Sequence, residues 1–434
     1  MKKIRIGVMG AYRGSSMINY CKASEKAEVV AICDKWEEVL ERQRQNLNDS
    51  TIAYYKSFEE FIEHDMDAVV LANYANEHAP FAIRCLNRGL HVFSEVLPCQ
   101  TMKEAVELIE TVERTGKVYA YGENYCYMPG PYEMKKLYRN GKIGEFEYGE
   151  GEYIHNCEPI WPSITYGDRN HWRNNMHAFY YCTHSLGPLI HITGLRPVSV
   201  TGFESQMTER HLRCGSKAGQ YGIEMVTLEN GGIIKSIHGG LYKDSVWYCI
   251  YGSKGRMETA REDTKCGDVS RIYINKDEYS GEYGKEHIEN YIPETQIEAS
   301  RHFDHSGSDF YCMDEFIKKI AGEKDADIID IYEAMDMFLP GLFAYRSVLK
   351  GGVTVAIPDF RNPAIRGQYR NDTACTIPEA AGDMLQPVFS KGTPDIPDTV
   401  YEIIKKRWKT ELLKDDSYSK KVTIQGLDQT ANKN

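Results

Sequence analysis

The chain has 434 residues, 42% hydrophobic and 26% charged, and its 63 acidic against 52 basic side chains give a formal net charge of -11. That length is too great for one simple core and implies two domains with an appended segment. The acidic balance argues against a nucleic-acid surface, which needs clustered Lys and Arg, and no run of about 18 apolar residues offers a membrane span. MKKIR leads into too short an apolar run to act as a secretory peptide, and no cleavage signal follows it. The 12 cysteines are scattered with no CxxC pair, which suits free thiols in a reducing cytoplasm better than a disulfide framework.

The chain opens on KKIRIGVMGAYRGSSM, residues 2–17. Ile4 to Met9 has the apolar run of a buried parallel strand, and it breaks into a glycine turn at Gly10 and Gly14 before a helical pattern. Glycines there let the backbone approach a pyrophosphate, and the next helix N-terminus complements its charge. Asp34 ends the second strand-like run, AEVVAICD, where a carboxylate binds a ribose 2′-hydroxyl and disfavours a 2′-phosphate. NAD is therefore the expected cofactor, although Lys35 beside Asp34 complicates the choice. The loop departs from GxGxxG, with Tyr12 at the second glycine's place and Ser15 at the third's.

Strands and helices then alternate. Residues 36–46 read as a helix and 52–55 as a strand; Ser57 with Glu60 forms a capping-box pattern opening SFEEFIEH. MDAVVLAN is a buried strand, HAPFAIRCLNRG a helix stopped by Gly89, and LHVFSE a strand. Thr101 with Glu104 caps a helix closed by Gly116, and KVYAYGEN is one more strand. This alternation implies a Rossmann-type, doubly wound parallel sheet over residues 1–125, with Gly10, Asp34, Asn73, Glu95 and Glu123 around one crevice at the strands' carboxyl ends.

Beyond Tyr125 the pattern changes. EFEYGEGEYIHN, RPVSVTGFES, YGIEMVTLENGGIIKSIHGG and VWYCIYGSKGRMETA read as strands without helices between them, with Asn230-Gly231 a hairpin turn. A mostly antiparallel sheet in an α/β domain is expected over residues 126–360, its open face available for a homo-oligomer contact. Helices return at DFYCMDEFIKKIAG and at DIIDIYEAMDMFLPGLFAYRSVLKGG, the latter bent or interrupted near Pro340. Residues 361–434 read as a strap over the body with one helix, TVYEIIKKRWKTELL, and a disordered tip at TANKN.

IGVMGAYRG, ICD, NEHAPFAIRCLNRGLHVFSEVLP and HSGSDFY followed by IDIYEAMDMFLPGLFAYRSVLKGGVTVAIPDF together resemble the Gfo/Idh/MocA oxidoreductases over residues 1 to about 360. YYCTHSLGP at 180–188, with HWR at 171–173, is similar to the NAD-dependent glycosidases related to bacterial α-N-acetylgalactosaminidase. The family's dehydrogenases carry Glu-Lys-Pro after the fifth strand, whereas this chain has Glu95-Val96-Leu97-Pro98 and lacks the lysine. They also tend to Asp-x-Gly-x-His-x-x-Asp; here His184 is kept and Gly187 replaces the last aspartate. Tyr181, three residues before His184, matches the glycosidase branch.

That resemblance implies a tightly bound NAD recycled within each turnover, a sugar or glycoside as substrate, and hydrolysis through transient C3 oxidation, C2 deprotonation, elimination, water addition and re-reduction. His184 is the candidate base for the hydroxyl proton, and Tyr181, flanked by positive charge or nicotinamide, for the C2 proton. A sugar or inositol dehydrogenase is the rival enzyme, and a non-catalytic sugar or nucleotide sensor the third reading. Expected cofactor residues are Gly10, Tyr12, Arg13, Gly14, Asp34, Asn73, Asn76, His78, Glu95, Glu123, Trp172 and Arg173. Expected sugar contacts are Asn124, Tyr127, His305, Asp309 and Tyr311; the HSGSDFY residues could equally start a helix. His171, His177, His184 and His191 recur six or seven apart, but without HExxH or a cysteine pair no metal is expected.

Overall fold

The structure is a computed structural model describing residues 2–263, 269–277, 286–294, 298–303 and 305–412. The tip at TANKN lies outside the described residues. Six parallel strands build the first sheet: β1 (Ile4–Met9), β2 (Ala27–Cys33), β3 (Ala53–Tyr55), β4 (Ala68–Leu71), β5 (His91–Glu95) and β6 (Tyr119–Gly122). Their order is β3-β2-β1-β4-β5-β6, so the direction of winding reverses between β1 and β4. Loops leaving adjacent strands there diverge to opposite faces and open a crevice at the carboxyl ends. The central strands are apolar on both faces because helices cover both; β4 is buried along its length.

Local sequence explains the helix ends in most places. Thr101 and Glu104 close a full capping box on Met102–Thr115. At Ser57 the expected box reduces to one bond from the Glu59 N–H (3.2 Å), over a helix of only Phe58–Phe61. A four-residue turn buries Phe58 and Phe61 and presents no longer face to the sheet.

The second sheet has nine strands: β7 (Phe146–Ile154), β8 (Pro197–Glu204), β9 (Tyr221–Leu228), β10 (Ile233–Gly239), β11 (Ser245–Gly252), β12 (Gly255–Thr259), β13 (Ile272–Asp277), β14 (Glu286–Tyr291) and β15 (Val355–Ala356). Their order is β14-β13-β12-β11-β7-β10-β9-β8-β15, antiparallel except where β10 lies parallel to β7. The sheet's inner face packs on two helices, Thr183–Thr193 and Ile331–Leu349. The second continues through Pro340 without the interruption the sequence allowed for: Met337 to Tyr345 are buried throughout, and this packing outweighs the proline's local cost. The first was not anticipated, since Gly187 and Pro188 lie inside it and it is buried from Thr183 to Ile192, leaving no amphipathic stripe to read.

Polar contacts between residues far apart in the chain tie the glycine turn to the helix Ser308–Ile320. Arg13, in the glycine turn, makes a bidentate bond to Asp309 at the start of helix Ser308–Ile320 (2.8 and 3.0 Å) and pairs with Glu95 (2.7 Å). Burial opposes the Asp309 charge, but Arg13 and the bonded His305 outweigh it and hold the carboxyl below the ordinary carboxylate range. A depressed folded value contributes stability that is complete above the unfolded value of about 4 and is lost as pH falls through the folded one. Thermal unfolding followed from pH 6 to pH 1.5 is expected to show an acid limb, beginning below about pH 4, that Asp309→Asn flattens, at a lower midpoint near neutrality because Arg13 loses its bidentate partner and keeps only Glu95.

Candidate active site

The glycine turn after β1 is dictated by crowding. Gly10 has φ +87°, and a Cβ there would lie 2.3 Å from the Ala72 carbonyl oxygen, so only glycine lets the turn pass over the end of β4. Gly14 precedes the helix Ser15–Ala23. Asp34 accepts the Ala11 and Trp36 N–H groups, each at 2.9 Å, which fixes its carboxylate beside the turn; burial raises its pKa. Tyr12 turns outward, 56% exposed, and leaves the crevice open.

Beyond β4, Asn73 donates to Glu77 (2.9 Å), while its own amide oxygen is buried without a protein partner. The same holds for the Asn76 amide oxygen and the Trp172 indole N–H. Buried polar atoms left unpaired are costly, and three of them beside a glycine turn and a ribose-type carboxylate fit a dinucleotide. His78 is buried and bonds the Leu97 carbonyl through Nδ1 (2.9 Å); burial pushes its pKa down to about 4, so it is a neutral brace for the turn after β5, and its Nε2, like the three atoms above, is buried without a protein partner.

Glu123 follows β6 and is fully buried. Sequence reasoning placed it among cofactor contacts, but both oxygens are met from the second domain: the Thr183 hydroxyl donates to Oε2 (2.6 Å) and His184 Nδ1 meets Oε1 (2.7 Å). A carboxylate only accepts, so Nδ1 carries the proton facing Glu123, and in the neutral ring the lone pair is on Nε2. The imidazole is flanked by the rings of Tyr125 (4.8 Å between centroids), Tyr153 (4.7 Å) and Tyr181 (5.7 Å, stacked). Arg173 lies over the Tyr181 ring at 5.3 Å and over Trp172 at 4.6 Å. Its charge does act on Tyr181 as expected, yet burial is the larger influence and the phenol stays above its ordinary value.

Among the expected sugar contacts, Asn124 and His305 converge on Asp309 at 3.2 and 3.1 Å, so the three join Arg13 and Glu95 in one polar cluster, with Asp309 and Asn124 buried and His305 on its exposed rim. Burial opposes the His305 charge, but Asp309 outweighs it and raises the pKa above the histidine norm. Two tyrosines fall outside the cluster. Tyr127 is buried and donates to the Asp327 carbonyl (2.7 Å), and Tyr311 packs on Tyr132. Each sits on an element whose local pattern does not reveal which way the ring turns. Sequence reasoning missed Tyr125 and Tyr153; the strand alternation of β7 was the available hint for Tyr153. Of the four spaced histidines, His177 stacks on Tyr345 and His191 pairs with Glu333 and Lys135, away from His184. No helix among the described residues is long and apolar enough to cross a membrane.

Residues 4–123 match the Gfo/Idh/MocA family, described as an oxidoreductase family with an NAD-binding Rossmann fold. A glycosyl hydrolase family 109 protein of Shewanella sp. strain MR-4 is 31% identical over 201 residues, and the chain spans only 44% of that relative's length, using 44% of its own. A glycosyl hydrolase family 109 protein of Solibacter usitatus is 26% identical over 406 residues, covering 82% of this chain and 88% of that one. The solved myo-inositol 2-dehydrogenase of Lactobacillus plantarum shares the fold at a TM-score of 0.64 and 19% identity, covering 82% of this chain and all (100%) of that one. Through its glycine turn, its reversed strand order and the match over residues 4–123, the first domain is similar to the Gfo/Idh/MocA oxidoreductases.

Proposed function

We propose that the protein is an NAD-dependent, carbohydrate-active enzyme, and specifically a glycosidase that oxidises its sugar only transiently. The observation that carries this reading is the Glu123–His184 pair with Tyr181 stacked on it, in a chain that reads Glu95-Val96-Leu97-Pro98 where the dehydrogenases carry Glu-Lys-Pro. A bound nicotinamide supplies reversible hydride exchange at the sugar's C3 carbinol, with no net redox change over a turnover. His184 Nε2 takes the C3 hydroxyl proton, and Glu123 stabilises the imidazolium that results. A C3 carbonyl acidifies the C2 proton; Tyr181 as its phenolate accepts it, and the C1–O bond breaks with the leaving oxygen protonated from water. After water adds at C1 and C2 is reprotonated from Tyr181, C3 is reduced back to the alcohol. Tyr125 and Tyr153 supply ring faces against which a sugar can lie.

The names of the family 109 relatives support the glycosidase reading. Alcohol oxidation alone needs only His184 and Glu123, which keeps a sugar or inositol dehydrogenase as the second reading. The proposal extends to a homo-oligomer, dimer or tetramer, through the open face of the second sheet. Pairing puts Phe203, Ile233, Tyr251 and Tyr273 on that one face, and they remain 38–53% exposed.

Hydrolysis of nitrophenyl glycosides in deuterated water is expected to place deuterium at C2 of the released sugar without accumulating reduced dinucleotide. Unlabelled product, or steady reduction with an unsubstituted polyol, would exclude the elimination route. Tyr181→Phe should cut turnover by roughly 10²- to 10⁴-fold while the dinucleotide stays bound. Because the Tyr181 phenol lies above its ordinary value, the fraction able to accept a proton rises with pH across the neutral range, and turnover should rise with it. Arg173→Met removes the charge that lowers this value, so kcat at pH 7 should fall by about tenfold for each further unit and recover in alkaline buffer.

A further inference from the structure

Residues 157–180 leave β7, cross to the first sheet, and return to helix Thr183–Thr193 carrying His171, Trp172 and Arg173. Tyr166 touches Trp36, two residues past Asp34 (5.2 Å between ring centroids), and His171 touches Tyr74, next to Asn73 (5.1 Å). This segment therefore lies over the carboxyl ends of β2 and β4, where the dinucleotide reading puts the cofactor. Its local backbone is strained: Tyr166 and Gly167 both take left-handed conformations, at φ 58° and 70°, and a bulky residue does so only where its surroundings hold it.

What holds it is the C-terminal strap. The helix Asp398–Leu412 passes so close that a Cβ on Gly167 would lie 2.5 Å from the Lys405 nitrogen and the Tyr401 carbonyl oxygen. Trp408 packs edge-on against Tyr166 (5.2 Å), and Arg169 donates to the Ile396 carbonyl (3.0 Å), Asp395 (2.8 Å) and Asp398. The Thr376 hydroxyl donates to the Asn175 carbonyl. Ile396, Tyr401 and Ile404 form a small apolar cluster of their own with Leu212, separate from the main core. The strap helix can thus be perturbed without opening either sheet.

We propose that the strap is a brace that pins residues 157–180 over the dinucleotide crevice, making Arg169, Tyr166 and Trp408 positioning residues for Trp172 and Arg173 and setting how long the cofactor stays bound. The retention half of this inference rests on the NAD reading above; the brace itself does not. Full-length protein with Arg169→Ala or Trp408→Ala is compared with the unmodified chain by hydrogen exchange and by the rate at which labelled NAD leaves. Backbone exchange over 157–180 is expected to quicken by about tenfold while the β1 and β4 amides keep their protection. NAD release should quicken by a similar factor, and Arg169→Lys should restore part of both. Unchanged exchange over 157–180 in both variants overturns the brace. Loosened exchange with unchanged NAD release overturns its role in retention. Failure of the unmodified chain to bind NAD at all sinks the cofactor reading instead, and the exchange result then decides the brace alone.

Discussion

A carboxylate with no access to water must be met by donors, and Glu123 meets its two in residues 60 and 61 positions further along the chain, Thr183 and His184. That requirement fixes the end of β6 against the start of the helix that underlies the second sheet. The same bond sets the tautomer of His184 and so leaves the basic nitrogen free. One buried interaction thus joins the two sheets and prepares the site between them.

The rest of the site follows from what surrounds that pair. Three tyrosine rings enclose the imidazole, which limits water and strengthens the Glu123 contact. Arg173 adds a positive charge beside Tyr181, though the same burial that makes the site dry pushes the phenol the other way. On the opposite wall, Arg13 ties Glu95 and Asp309 together and draws in Asn124 and His305. Charged groups that a simple reading would hand to cofactor or sugar serve here to lock the glycine turn to the helix Ser308–Ile320. Arg13 nonetheless keeps 30% of its side chain open.

The first sheet was legible because each of its signals is local. Apolar runs mark the strands, Gly10 marks the turn, and Thr101 with Glu104 marks a helix start. The second sheet was legible from alternation as far as β12; β13 (IYINKD) and β14 (EHIENY) are short with few apolar residues, β15 is only two residues long, and all three were missed. The site was legible in its residue types and less so in their partners. Tyr181, His184 and Arg173 come together as their spacing suggested, whereas nothing local announces that Arg13 bonds a residue 296 positions away. Tyr127 and Tyr311 show the limit from the other side. Each was expected at the sugar, and packing sends each elsewhere.

The account stands on the proton of His184 residing on Nδ1, held by Glu123, with Nε2 free toward the crevice. Nitrogen NMR of the full-length protein labelled at histidine, with the His184 signals assigned by their loss in His184→Gln, reads this directly. The account predicts a protonated Nδ1 and an unprotonated Nε2 at neutral pH, with that preference lost in Glu123→Gln. An Nε2–H tautomer in the unmodified protein, or a tautomer indifferent to Glu123→Gln, would contradict it.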